Sequence, residues 1–166
     1  MYKKALYNMV YRMLNNSTPL KADCGLICNS KCCKGDDEFG MLLYPGEKEY
    51  LADKGSNLTI NEKTFYGTSV YFAICKGICS RNLRPLSCRI YPLVPHINID
   101  NKLTIIEDPR AKYICPLLFE RDNLKINTFF KRNVHDAFYL MFQDLEIKTF
   151  LKIFSKVLDE YARFTV

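Results

Sequence analysis

Four cysteines fall within ten residues in the stretch LKADCGLICNSKCCKGD: Cys24, Cys28, Cys32 and the adjacent Cys33. Thiols this crowded form disulfides, bind metal or carry out chemistry, and each choice constrains the backbone differently. On one continuous helix Cys24, Cys28 and Cys32 would share a stripe, with its ends about 12 Å apart at 1.5 Å per residue. Sulfurs around one zinc stand only about 3.8 Å apart, given Zn–S bonds of about 2.3 Å. One ion therefore requires the segment to fold back, which Gly25, Asn29 and Gly35 permit, or else the ligands divide between sites. Neighbouring side chains diverge, so Cys32 and Cys33 are expected to reach different metals, or different atoms of a cluster.

Redox compartment separates disulfides from metal. The opening MYKKALYNMVYRML has a basic start, but Asn8 and Arg12 interrupt its apolar residues, so it does not read as a signal peptide. No run approaches the eighteen apolar residues of a membrane span. The expectation is a cytoplasmic protein without a membrane partner, where clustered thiols are metal ligands more often than disulfides. At 166 residues, 48% of them hydrophobic, the chain can bury a core without cross-links. The net charge of +6 is informative mainly by position: Lys31, Lys34, Lys76, Arg81, Arg84, Arg89 and Lys112 lie near cysteines. Four thiolates on a divalent ion leave a charge of −2, which such cations offset. No basic helix or aromatic-basic array points to nucleic acid.

The remaining cysteines fall in two groups, Cys75/Cys79/Cys88 and Cys115. If helical, Cys75 and Cys79 face the same way about 6 Å apart. Cys88 sits in Arg84-Pro85-Leu86-Ser87-Cys88-Arg89-Ile90-Tyr91-Pro92, expected to be a rigid loop. Arg84 and Arg89 there are candidate cofactor-binding residues, donating to sulfur or to carbonyls that hold the loop. Eight thiolates allow two four-thiolate sites, or one cluster with thiols to spare.

RPLSCRIYPL resembles the RPxxCRxYP signature of the YkgJ-like cysteine-cluster proteins, the zinc- or iron-chelating CxxCxxCC domain also found in flagellin lysine N-methylases. CGLICNSKCC corresponds to that family's opening cluster, here spaced C-x3-C-x3-CC, and Cys115-Pro116 to its late cysteine. The resemblance covers about residues 22–118. It implies zinc or iron, including a [4Fe-4S] cluster, held by Cys24, Cys28, Cys32, Cys33, Cys75, Cys79, Cys88 and Cys115. RPLSCR is the more specific match, which ranks Cys88 above Cys28 as an anchor.

Around these motifs the chain reads as α+β: an N-terminal helix, a cysteine-rich middle with short antiparallel strands organised by metal, and a helical C-terminal part. It is read as one cysteine-cluster domain over 1–166, with a metal-binding middle at 22–118 and a helical part at 119–166. Leu6, Met9, Val10, Met13 and Leu14 give one apolar helical face. Phe39 to Tyr44 reads as a buried strand, and Pro45-Gly46-Glu47 opens a helix that Gly55 closes. Residues 58–74 hold one or two strands. Ile97, Ile99, Leu103 and Ile105 flank Asp100-Asn101-Lys102 as a hairpin. Val134, Ala137, Phe138, Met141, Phe142 and Leu145, then Leu151, Phe154, Val157, Leu158 and Tyr161, give two more helical stripes.

Several enzyme classes lack their residues. No GxGxxG is present, as a nucleotide-like cofactor would require. A thioredoxin-type CxxC and an HExxH are both missing. His96 and His135 read as structural, and Glu47, Glu49, Asp36 and Asp37 as a solvated face. The expected function is thiolate coordination of zinc or an iron–sulfur cluster. The alternative is an iron–sulfur-dependent enzyme related to protein lysine N-methylases.

Overall fold

The computed structural model describes residues 2–33, 40–56, 58–74, 80–119 and 124–164. Helix α1 spans Tyr2–Met13. A single turn, α2 at Gly25–Cys28, lies in the first cysteine segment. Strand β1 (Met41–Leu43) and helix α3 (Glu47–Asp53) follow. Then come β2 (Thr59–Phe65) and β3 (Thr68–Ile74). Helix α4 (Leu86–Ile90) precedes β4 (Leu93–Ile97) and β5 (Leu103–Glu107). Short α5 (Pro116–Phe119) leads to the long α6 (Thr128–Met141) and α7 (Leu145–Phe164). The fold is thus mixed α+β, with an N-terminal helix, two small antiparallel sheets and a helical C-terminal part.

The first sheet has the order β1-β3-β2, so β3 is central, and it ends at Ile74. Tyr66 and Gly67 turn the β2–β3 hairpin, both with positive φ (48° and 74°), as a two-residue turn matched to strand twist demands. No atom lies within 4 Å of a Cβ added at Gly67, so the cost of a side chain there is conformational alone. Gly67→Ala is expected to destabilise the fold by about 1–2 kcal/mol through left-handed strain, read as a lower urea midpoint with an unchanged m-value. The second sheet pairs β4 with β5, from Leu93↔Glu107 to Ile97↔Leu103. Its turn is organised by Asn98, whose Oδ1 accepts from the Asp100 and Lys102 backbone N–H groups at 3.0 and 2.9 Å.

The main core joins both ends of the chain. Leu6, Tyr7, Val10 and Leu14 of the N-terminal segment are buried with Phe130, Val134 and Phe138 of α6 and Leu151 and Leu158 of α7. Asn127 caps α6, its Oδ1 accepting from Phe129 N–H at 2.8 Å, as N-cap asparagines do. No helix among the described residues is long and apolar enough to cross a membrane.

Four details depart from the sequence reading. Met9 is 53% exposed, and Tyr7 and Tyr11 take its place on the buried face of α1. Ile99 lies in the hairpin turn and points fully into solvent. Leu145 and Tyr161 are exposed, because the buried stripe of α7 runs through Ile147, Phe150, Leu151, Phe154 and Leu158. The segment expected as a rigid loop forms α4, with Pro85 just before its first residue, where a fixed φ and a missing N–H do no harm.

Candidate metal centre

The first cysteine segment folds back on itself. Cys24 precedes the single turn of α2, and Asn29 and Ser30 then both adopt left-handed conformations (φ 51° and 53°). Two bonds fix the reversal: Ser30 N–H donates to Gly25 C=O at 2.9 Å, and Cys33 N–H to Ser30 C=O at 2.8 Å. A short 3₁₀ turn, Lys31–Cys33, carries the adjacent pair. The straight helix that would hold Cys24 and Cys32 apart is therefore avoided, and asparagine is the residue that tolerates the reversal.

The opposite wall comes from the chain between β5 and α5. Asp108 Oδ1 accepts from Arg110 N–H at 2.9 Å and starts a 3₁₀ turn over Pro109–Ala111. Cys115 follows, its N–H donating to Ala111 C=O at 2.9 Å, and its own C=O accepting from Leu118 N–H at 2.9 Å. Cys115 is buried in a small satellite core with Ala111, Leu117 and Leu118, against which Cys24 and Tyr91 pack. Asn127 N–H donates to Pro19 C=O at 2.8 Å, anchoring the strand of chain that leads into Cys24.

Between these walls is a cavity of about 20 Å³, lined by Cys24, Cys28, Cys32 and Cys115 together with Ile27, Tyr91, Pro92 and Ile114. Four cysteines, separated by up to ninety-one residues (115 − 24), thus border one space. Burial raises the Cys24 thiol, helped by Asp23 and Cys28 and opposed by Arg84. Burial, then Cys33, Cys24 and Cys28, pushes Cys32 up to about 12. Cys32 is exposed as a residue, so its raised thiol reflects the crowding on its inner side. Burial and the Cys24 and Cys28 thiols push Cys115 up to about 11. No group of three or more His, Cys, Asp or Glu among the described residues stands in metal-ligand geometry.

The other candidate ligands divide. Cys33 touches Cys32 but does not line the cavity. Cys88 sits half-buried on α4, outside the lining set. Cys75 and Cys79, with Asp36 and Asp37, lie outside the described residues. Of the two arginines, Arg84 stands beside Cys24, where its positive charge favours the thiolate. Arg89 instead holds backbone: its Nε donates to Arg84 C=O at 3.0 Å and its Nη2 to Arg81 C=O at 2.5 Å. Its guanidinium lies 4.5 Å from the centre of the Tyr11 ring. Both histidines have acidic partners, His96 on Asp159 at 2.9 Å and His135 on Asp136 at 3.3 Å.

Glu47 was expected on a solvated face and is instead fully buried. Its Oε1 accepts from Tyr11 O–H at 2.6 Å and from Leu86 N–H at 2.7 Å, and its Oε2 from Tyr44 N–H at 2.9 Å. One carboxyl therefore joins α1, α3, the end of β1 and the start of α4. The reason is local supply: three donors that would otherwise be orphaned converge on it. Its position at the start of a helix was visible in the sequence, but acids there are ordinary.

Comparison of the chain with protein-family models, curated proteins and solved structures finds no match in any of the three.

Proposed function

We propose that the protein binds a single metal ion, zinc, through the thiolates of Cys24, Cys28, Cys32 and Cys115. The observation that carries this reading is the shared cavity of about 20 Å³ that these four residues line. A space of that size holds about one water-sized sphere. It suits one ion better than a four-iron cluster. The donor set is chemically apt, because thiolates select zinc among hard and borderline divalent ions. Bound zinc would supply a redox-inert cross-link whose four positions are filled by sulfur. The chain's own contribution is to exchange thiol protons for the ion, to hold Arg84 beside the resulting negative charge, and to fix the two walls by backbone bonds. The raised thiols mean that the folded chain alone keeps them protonated and that binding releases protons.

The test is metal content by atomic emission after anaerobic and aerobic purification. One zinc per chain is expected, with neither iron nor acid-labile sulfide. Cys28→Ser should weaken zinc at least 100-fold, exceeding the 10–100-fold typical of outer-shell losses, while Cys88→Ser retains it. This order is opposite to the ranking that RPLSCR suggests. Iron and sulfide in equal amounts would replace this reading with the cluster one, and a metal-free chain would end both.

A further inference from the structure

A larger cavity of about 560 Å³ lies between the first sheet and α7. The pairing register sets Lys63 opposite Val70, Phe65 opposite Thr68 and Leu42 opposite Phe72. Paired residues share a face and alternate residues along a strand do too, so these six form one wall of the cavity. From Thr68 to Phe72 that wall runs about 13 Å at 3.3 Å per residue. Ile153, Phe154 and Val157 of α7 line the other side. At the hairpin tip, Tyr66 O–H donates to Glu160 on α7 at 2.5 Å, joining the two walls. The volume falls in the range of about 300–1,000 Å³ typical of small-molecule sites, whose walls are mostly apolar with a few placed polar groups. A slot between a flat sheet and a helix suits an extended chain better than a compact ring system.

The charges decide what fits. Asp108 is the one carboxylate among the described residues that line the cavity. It engages Arg110, whose Nε donates to Oδ1 at 2.9 Å and whose Nη2 donates to Oδ2 at 2.6 Å. This bidentate pair cancels its own charge. The other two charged residues of the wall, Lys31 and Lys63, are both cations. Lys31 is exposed, so its charge is largely screened by water. Lys63 is half-buried, and its Nζ stands 5.9 Å from the centre of the Phe72 ring, itself part of the cavity wall. The ammonium thus borders the apolar space. It carries three donors, so it can take a carboxylate oxygen while it keeps the ring. A cationic ligand is repelled by this wall. A multiply charged anion would have to bury charge against Leu42, Val70 and Ile153, which is costly.

We infer that this cavity binds a straight-chain aliphatic monocarboxylate, its alkyl chain between the first sheet and α7 and its carboxylate on the Lys63 ammonium. The inference uses neither the thiols nor a metal. The probe is cis-parinarate, a straight-chain polyene carboxylate whose emission rises in apolar surroundings. The expected result is saturable one-to-one binding to the full chain with enhanced emission. Decanoate should displace it about tenfold more effectively than decan-1-ol, the scale of one hydrogen bond to a charged group, and decyltrimethylammonium less effectively than either. Lys63→Met keeps the length of the side chain and removes its charge. It should weaken decanoate about tenfold and leave decan-1-ol and the metal content unchanged, a split that general loss of structure would not produce. Val157→Trp, which fills the cavity from α7, should abolish binding of both at unchanged far-ultraviolet circular dichroism. Absence of saturable binding, decan-1-ol matching decanoate, an equal loss of both in Lys63→Met, or retained binding in Val157→Trp would each overturn the inference.

Discussion

Glu47→Ala is expected to destabilise the fold by about 4 kcal/mol, enough to unfold a marginal domain at room temperature. The substitution removes the acceptor for Tyr11 O–H, Leu86 N–H and Tyr44 N–H at once. Each donor left buried without a partner costs about 1–3 kcal/mol. It also removes the carboxyl that lies near Arg89, which is itself only 4% exposed. Urea titration at pH 6 measures the effect, and a loss below 1 kcal/mol would mean that the site relaxes to admit water.

The same carboxyl makes stability depend on pH. Burial raises Glu47 from 4.5 to about 7, against the opposing pull of its hydrogen bonds and Arg89. Between those two values the folded chain keeps a proton that the unfolded chain has lost. The unfolded state then binds fewer protons, so stability falls as pH rises. At about 1.36 kcal/mol per unit the change is about 3 kcal/mol, complete by about pH 8. Glu47→Gln removes this dependence. Its penalty relative to the native chain should therefore be largest near pH 4.5 and shrink toward pH 8.

Arg89→Met is expected to cost about 3 kcal/mol while leaving the zinc content proposed for the thiol site unchanged in the folded fraction. Arg89 satisfies the carbonyls of Arg84 and Arg81. Arg81 in turn donates through Nε to Asn15 C=O at 2.7 Å and through Nη2 to Ser17 C=O at 3.0 Å. A relay of guanidinium–carbonyl bonds thus runs from the end of α1 to α4. Methionine keeps the apolar length of the side chain, but it takes one donor from each of two carbonyls, of which that of Arg81 keeps the Arg84 N–H at 3.2 Å, and it leaves Glu47 without its cation. Chevron or urea data read the stability, and metal analysis of the monomer peak reads the site. Zinc loss greater than the loss of folded protein would place Arg89 in the centre itself. Because Glu47 and Arg89 act on one another, the double variant Glu47→Gln/Arg89→Met should cost less than the sum of the two singles.

These residues also mark where sequence reading succeeds and stops. Period located α6 and α7, and period with punctuation by glycine, asparagine or proline located α1, β1, α3 and the β4–β5 hairpin, while residues 58–74 read only as one or two strands where the structure has the β2–β3 hairpin. Faces were harder. Tyr7 and Tyr11 are buried because their hydroxyls have acceptors, Pro45 C=O at 2.9 Å and Glu47. Met9 has no such hold and turns outward. Adjacent residues on α1 thus compete for the core on grounds that a hydropathy pattern does not encode. Glu47 is the extreme case: its burial depends on donors from Tyr11 and Leu86, thirty-six and thirty-nine positions away. At the thiol site the fold-back was one of two alternatives the sequence left open, the other being ligands divided between sites, and Asn29 permits the turn that the structure takes. That Cys28 rather than Cys88 would line the same space as Cys115 was not legible, because the choice is made by the packing of α5 and Tyr91.

The pairing of α1 with α6 sets a schedule for the growing chain. Leu6, Tyr7, Val10 and Leu14 bury themselves against partners that include Phe130, Val134 and Phe138. More than a hundred residues separate the two sets. At about 5–20 residues per second of synthesis, the apolar stripe of α1 waits on the order of ten seconds before its partner is made. During that interval the first helix is an exposed amphipathic segment, open to chaperones, and the main core closes only as the C-terminal helices emerge.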